Sequence, residues 1–135
     1  YEKALFWYEK AAEQDDAFAQ SKLGVLYESG QGVEKDYKKA LYWYEKAAAQ
    51  DHMEAQSNLG FMYDTGNGVG KDYKKALYWY EKAADQGDAF AQNNLGVMYH
   101  NGLGAKVDFV KAKYWFQKAA EQGNKNAIKN MKMYR

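Results

Sequence analysis

The sequence predicts an all-α fold, a solenoid of stacked antiparallel helix pairs. Four tryptophans are spaced 36 residues apart: Trp7, Trp43, Trp79 and Trp115. The stretch DYKKALYWYEKAA occurs at 36–48 and again at 72–84. A fixed period between about 20 and 50 residues is the signature of a repeat array. Proline is absent and glycines recur at fixed phases, so each repeat is predicted to hold two helices that break at the glycines of the connecting segments.

In each repeat, the long connection between the two helices begins with a residue typical of a helix end and finishes with a residue typical of a helix start. Glycine is the residue that most easily adopts the left-handed conformation that ends a helix, and it recurs at Gly30, Gly66 and Gly102. An aspartate side chain can accept a free backbone N–H at a helix start, and it recurs at Asp36, Asp72 and Asp108. Tight turns separate one repeat from the next. There Asp15 and Asp51 stand where Gly87 and Gly123 fill the left-handed position, at some conformational cost.

These breaks divide the chain into one array over residues 1–135. The predicted parts are a lone second helix at 1–14, full repeats at 15–50, 51–86 and 87–122, and a terminal first helix acting as a cap at 123–135. Lys132 and Arg135 stand at the phases of Gly96 and Tyr99, which suits an end that meets water. Residues 5–11 keep the interior pattern, so we expect a truncated N-terminal helix whose apolar side is exposed or covered, which allows self-association.

Helical phase separates packed positions from exposed ones. In the first helix of a repeat the arc around Leu23 and Tyr27 is predicted to pack. A mid-helix glycine costs about 1 kcal/mol relative to alanine, so a neighbouring backbone is expected to approach Gly24, Gly60 and Gly96. The glutamines on this arc are expected to satisfy backbone or tyrosine groups between helices: Gln20, Gln56 and Gln92. In the second helix the tryptophans, Trp7 included, are predicted to pack, whereas Phe6, Tyr42, Tyr78 and Tyr114 face outward.

The pattern A…LG..Y…G.GV.KDY.KA..WY.KAA.QG resembles the Sel1-like repeat, a relative of the tetratricopeptide repeat. The resemblance covers the whole chain. It implies a right-handed superhelix whose first helices line the concave face and whose second helices form the convex face. It also implies an adaptor role with a protein or peptide partner, in bacteria often in envelope, secretion or host-contact settings.

Composition excludes several other functions. The chain has 19 Lys and Arg against 18 Asp and Glu, spread evenly, and this balance argues against nucleic-acid binding. Cysteine is absent, which removes disulfides, thiol nucleophiles and cysteine-based zinc sites. No run approaches the roughly 20 apolar residues of a membrane span. His52 and His100 are off the repeat register, and no catalytic, cofactor or metal motif is present. The compartment stays open: cytoplasm, periplasm and export are all compatible with the sequence.

A partner-binding surface is predicted on the open arc of the first helices. It consists of Phe18, Lys22, Val25, Asn58, Phe61, Phe90, Asn94, Val97 and Asn130. An exposed apolar strip beside polar groups indicates an interaction surface, and an asparagine amide can pair with a peptide backbone of any sequence. The alternative is that the apolar column packs against the neighbouring first helix and the asparagines are only solvated. The outward Tyr42 column is either a second surface or is simply covered by Lys38 and Lys46.

The favoured function is therefore a non-enzymatic scaffold that captures a peptide or protein segment on its concave face. The alternative is a hydrolase or a small-molecule-binding protein, since some Sel1-like relatives have been linked to β-lactams. Those relatives carry paired cysteines in each repeat, which this sequence lacks.

Overall fold

A computed structural model describes residues 2–134, which form eight α-helices and one short 3-10 helix, with no strand in that part of the chain. The helices are α1 (Glu2–Glu13), α2 (Ala17–Ser29), α3 (Tyr37–Ala49), α4 (Met53–Thr65), α5 (Tyr73–Asp85), α6 (Ala89–Asn101), α7 (Phe109–Glu121) and α8 (Lys125–Met131), followed by the 3-10 helix Lys132–Tyr134. Each helix packs against the next, and α4 also touches α2 and α6. The predicted all-α solenoid is confirmed.

The helix boundaries follow the predicted capping residues. The Oδ1 atoms of the three predicted aspartates accept a backbone N–H from the residue three positions on, at 3.0–3.1 Å: Asp36, Asp72 and Asp108. Gly30 ends α2 with a φ of 73°, in the left-handed region. Asp15 and Asp51 adopt φ values of 66° and 63° in the tight turns, where later repeats place glycine. Both predictions are confirmed.

The mid-helix glycines accommodate an aromatic ring of the following helix. A Cβ added to Gly60 would lie 2.7 Å from Cδ1 of Tyr80, and one added to Gly24 would meet the ring of Tyr44 in the same way. Both tyrosines are fully buried. The expected close approach is therefore present, but the expectation of a backbone neighbour was wrong, because the residue that needs the space is a side chain.

Buried glutamines tie three successive helices together. Gln56 in α4 donates from Nε2 to the Ala48 carbonyl of α3 at 3.2 Å, and its Oε1 accepts from Nε2 of Gln86 at 2.7 Å. Gln20 and Gln92 make the same pair of bonds one repeat away in each direction. The predicted role of these glutamines is confirmed, and it explains why a polar side chain is placed in the core.

The two ends of the array differ from the interior. Trp7 is 65% exposed, so its predicted packed position was wrong, whereas Trp43 and its later counterparts are half-buried against the core. That the apolar side of α1 is exposed or covered by another molecule stays a prediction. Lys132 is exposed in the 3-10 helix. The prediction for Arg135 lies outside the described residues.

Candidate partner-binding face

The first helices of the pairs, α2, α4, α6 and α8, carry all nine predicted site residues, and we call the surface of those residues the inner face. Each second helix between two of these first helices carries a fully buried aromatic side chain: Tyr44, Tyr80 and Phe116. Together with equivalent residues of the flanking first helices, these side chains define three tiers: Glu28, Tyr44 and Asn58 in the first; Asp64, Tyr80 and Asn94 in the second; His100, Phe116 and Asn130 in the third.

The first tier is built around a buried tyrosine. The Tyr44 hydroxyl donates to Oε1 of Glu28 at 2.7 Å, and the Asn58 amide lies next to this hydroxyl and acts to lower its pKa. Burial raises the pKa of Tyr44, and the nearby Glu28 carboxylate raises it further. The phenol is therefore a fixed neutral donor that holds the carboxylate in place. Lys22 lies 3.9 Å from Oε1 of Glu54 and 5.2 Å from the ring centroid of Phe18.

The second tier repeats the bond from tyrosine to carboxylate and adds exposed rings. The Tyr80 hydroxyl donates to Oδ2 of Asp64 at 3.2 Å, and the Asn94 amide lies next to the same hydroxyl and acts to lower its pKa. Phe61 is 37% exposed and Phe90 is 45% exposed, with their centroids 5.8 Å apart. Burial raises the pKa of Asp64. The hydrogen bond from Tyr80 and the charge of Lys71 act in the opposite direction and lower it.

The third tier has a different chemistry. Phe116 has no hydroxyl, and His100 replaces the carboxylate and places Nδ1 2.7 Å from the hydroxyl of Tyr134. Asn130 donates to Oδ1 of Asn93 at 3.0 Å. Sequence reasoning missed Tyr134, which lies outside the repeat pattern. It also missed the coupling of tyrosine to carboxylate. The sequence does contain a signal for this pairing. In the last full repeat Phe116 replaces the tyrosine and His100 replaces the carboxylate, so the two groups are lost together.

The predicted apolar column is only partly exposed. Val25 and Val97 are half-buried and pack against the core, whereas Phe61 reaches solvent. The asparagines are half-buried rather than fully exposed, and Asn58 and Asn94 lie next to the hydroxyls of Tyr44 and Tyr80. Phe18 is exposed and lies 6.5 Å from the ring of Tyr8. The inner face therefore combines fixed amides and carboxylates with a few accessible phenyl rings.

The opposite, outer face repeats a lysine–aromatic–tryptophan arrangement. Nζ of Lys46 lies 5.3 Å from the centroid of the Tyr42 ring. The Tyr42 and Trp43 rings pack edge to face, with their centroids 5.0 Å apart. The same arrangement recurs at Phe6, Tyr78 and Tyr114. A lysine thus covers one side of each outward ring, as the alternative interpretation of this column predicted.

Other site types have little support among residues 2–134. That part of the chain contains no cluster of three metal-ligating side chains, and no helix in it has the length and apolar character needed to cross a membrane. Two open recesses of about 420 and 350 Å³ lie beside the tight turns. They are lined by residues such as Asp15, Lys46 and Gln86 and by none of the nine inner-face residues.

Comparison with known proteins identifies the repeat. The family model described as Sel1 repeat matches residues 1–16, 17–52, 54–88 and 89–124. A search of curated proteins gave no match.

Solved structures of bacterial proteins share the fold. A Sel1 repeat protein from Oxalobacter formigenes has a TM-score of 0.90 and 42% identity over 96% of this chain. A protective antigen of uropathogenic Escherichia coli with an SLR fold has a TM-score of 0.88 and 44% identity over 91% of this chain. Helicobacter pylori cysteine rich protein B has a TM-score of 0.72 and 28% identity, with 93% of this chain and 90% of that protein covered. The chain spans 54% of the Oxalobacter protein and 26% of the Escherichia coli antigen. By its repeats and its fold, the chain belongs to the Sel1 repeat family.

Proposed function

We propose that this chain is a non-enzymatic protein-interaction scaffold whose inner face binds an extended segment of a partner protein. The observation that carries the proposal is the exposed pair Phe61 and Phe90, which lies beside the half-buried amides of Asn58 and Asn94. Exposed apolar side chains rimmed by polar groups mark interaction sites. Repeat arrays also use their stacked helices as extended binding surfaces.

The asparagines suit recognition of a peptide backbone. An amide carries two donor hydrogens and an acceptor oxygen, so Asn58 and Asn94 can pair with a peptide N–H or C=O. Because both side chains are half-buried, their freedom is restricted before binding, and less conformational entropy is lost when the partner arrives.

Other functions fit the structure less well. A hydrolase or small-molecule-binding protein would need ionisable groups that converge in a pocket. The hydroxyls of Tyr44 and Tyr80 are instead held by neighbouring carboxylates, and their raised pKa values come first from burial. Nucleic-acid binding would need a concentrated basic surface, whereas the first helices of the repeats carry Glu28, Glu54 and Asp64 beside Lys22.

Peptide selection tests the proposal directly. Dodecapeptides would be selected from a random displayed library on the intact chain, and their affinities measured by fluorescence anisotropy. Each hydrogen bond lost should cost about 0.5–1.5 kcal/mol, so Asn58→Ala combined with Asn94→Ala should weaken binding roughly five- to a hundredfold.

The matched control changes the outer face instead. Tyr42→Ala combined with Tyr78→Ala should leave peptide affinity unchanged, and circular dichroism would confirm that both double variants are helical. Peptides that bind the asparagine variant as tightly as the parent but lose affinity for the tyrosine variant would place recognition on the outer face and contradict the proposal.

A further inference from the structure

A lysine of the chain itself occupies a cation position between α2 and α4. The ammonium of Lys22 lies 3.9 Å from the Glu54 carboxylate and 5.2 Å from the centroid of the Phe18 ring. This is the only ion pair within 4 Å in the described part of the chain. A carboxylate and an aromatic face together therefore hold a cation on the inner face at this junction.

One repeat later, the chain provides the aromatic face and a carboxylate but no cation. Asn58 stands at the phase of Lys22, and Phe90 stands at the phase of Glu54. The Phe90 ring lies 5.8 Å from that of Phe61 and 6.3 Å from that of Tyr80, whose hydroxyl is bonded to Asp64. We call Phe61, Phe90, Tyr80 and Asp64 the ring cluster.

The ring cluster has no cationic partner among residues 2–134. Lysines lie over ten other aromatic rings in that part of the chain, but none lies over Phe61, Phe90 or Tyr80. No lysine comes within 4 Å of the Asp64 carboxylate. The charge of Lys71 lowers the pKa of Asp64, but Lys71 forms no ion pair with it. A half-buried carboxylate beside accessible rings attracts a cation by charge and by the negative faces of the rings.

We propose that the ring cluster binds one lysine or arginine side chain of the partner segment, with its cationic group between the Asp64 carboxylate and the rings of Phe61 and Phe90. This inference rests on the proposed function and specifies the partner chemistry. The other tiers are less suited to a partner cation. Lys22 already supplies positive charge near the first tier, and the third tier has His100 and Phe116 in place of a carboxylate and a phenol. The expected partner therefore carries one essential basic residue rather than a basic run.

The test uses a peptide selected on the parent chain and labelled with fluorescein. Replacing its basic residue by norleucine should weaken binding to the parent about five- to thirtyfold. In the Asp64→Asn variant, which keeps an acceptor for the Tyr80 hydroxyl, the lysine peptide should keep only the smaller advantage over the norleucine peptide that the rings provide. Phe90→Leu should reduce the same difference while it keeps apolar contact.

Glu28→Gln is the matched control, because it makes the same chemical change in the first tier and should leave the lysine preference intact. Urea denaturation would establish that all three variants are folded. A lysine preference that is undiminished in Asp64→Asn, or selected peptides with no basic position, would overturn the ring-cluster proposal. The proposed function would survive that result if binding still depended on Asn58 and Asn94. Peptides insensitive to those asparagines, or a library that yields no binder, would overturn both.

Discussion

The mid-helix glycine of α4 allows a sharp test of what holds the array together. Two effects oppose each other in Gly60→Ala. Alanine favours a helix by about 1 kcal/mol, whereas extra volume in a packed core costs about 1–3 kcal/mol. The added Cβ would lie 2.7 Å from Cδ1 and 2.9 Å from Cε1 of Tyr80, well inside the roughly 3.5–4.0 Å of a normal carbon contact. Because Tyr80 is fully buried and bonded to Asp64, its ring cannot turn aside into solvent.

The steric cost should therefore exceed the helical gain. We expect Gly60→Ala to lower the free energy of unfolding by about 1 kcal/mol and Gly60→Leu to lower it by more than about 2 kcal/mol. With a urea dependence of about 2 kcal/mol/M, the midpoints should fall by about 0.5 M and by more than about 1 M. Far-UV circular dichroism during urea denaturation measures both shifts.

Control variants separate sterics from helix propensity. Gly70→Ala places a Cβ with no atom within 4 Å, so its midpoint should stay the same or rise slightly. In a Tyr80→Leu background the ring is absent, and Gly60→Ala should become neutral or stabilising. If Gly60→Ala stabilises the parent chain, the close approach of the ring is not the reason for glycine, and the reasoning is refuted.

Three further predictions concern other parts of the array. Gln56→Leu should destabilise the chain by about 1–3 kcal/mol, because the Ala48 carbonyl keeps only its backbone donors and Nε2 of Gln86 loses its acceptor, while the exposed Gln31→Leu should shift the urea midpoint little. The folded-state pKa of Tyr44 is raised, so its contribution to stability is complete below the ordinary tyrosine pKa of about 10 and is lost as pH rises further. Tyr44→Phe should accordingly flatten the alkaline fall of the urea midpoint, and an unchanged slope would count against this role. The exposed Trp7 should support self-association, so Trp7→Ser should reduce any concentration-dependent increase in mass seen by light scattering; a parent that stays monomeric throughout would contradict this.

The sequence was sufficient to predict the elements of the fold because their signals are local. An aspartate that accepts the N–H three residues on, as Asp36 does, needs no distant partner. The left-handed Gly30 likewise depends only on its own backbone. Because the tryptophans recur at a fixed period, each local assignment could be repeated at the equivalent residues of the next repeat. These predictions therefore held along most of the chain.

The chemistry of the inner face was harder to predict because it depends on the offset between helices. Helical phase placed Leu23 and Tyr27 on a packed side correctly, but it could not show that the Tyr44 hydroxyl of a second helix reaches Glu28 of the preceding first helix. Helical phase also predicted the same packed position for Trp7 and Trp43, although Trp7 is exposed and Trp43 is not. Periodicity specifies which side of a helix a residue occupies, whereas contacts across helices require the structure.

The separation of the tiers leads to a last prediction, on how binding energy adds along the inner face. Adjacent repeats lie roughly 10 Å apart, and Asn58 and Asn94 lie next to different tyrosines, in different tiers. Substitutions at that distance usually add to within about 0.5 kcal/mol. The loss of peptide affinity in the Asn58→Ala and Asn94→Ala double variant should therefore equal the sum of the two single losses. A double loss much smaller than this sum would mean that removing one asparagine already releases the peptide from both tiers, and the inner face would then act as one cooperative site.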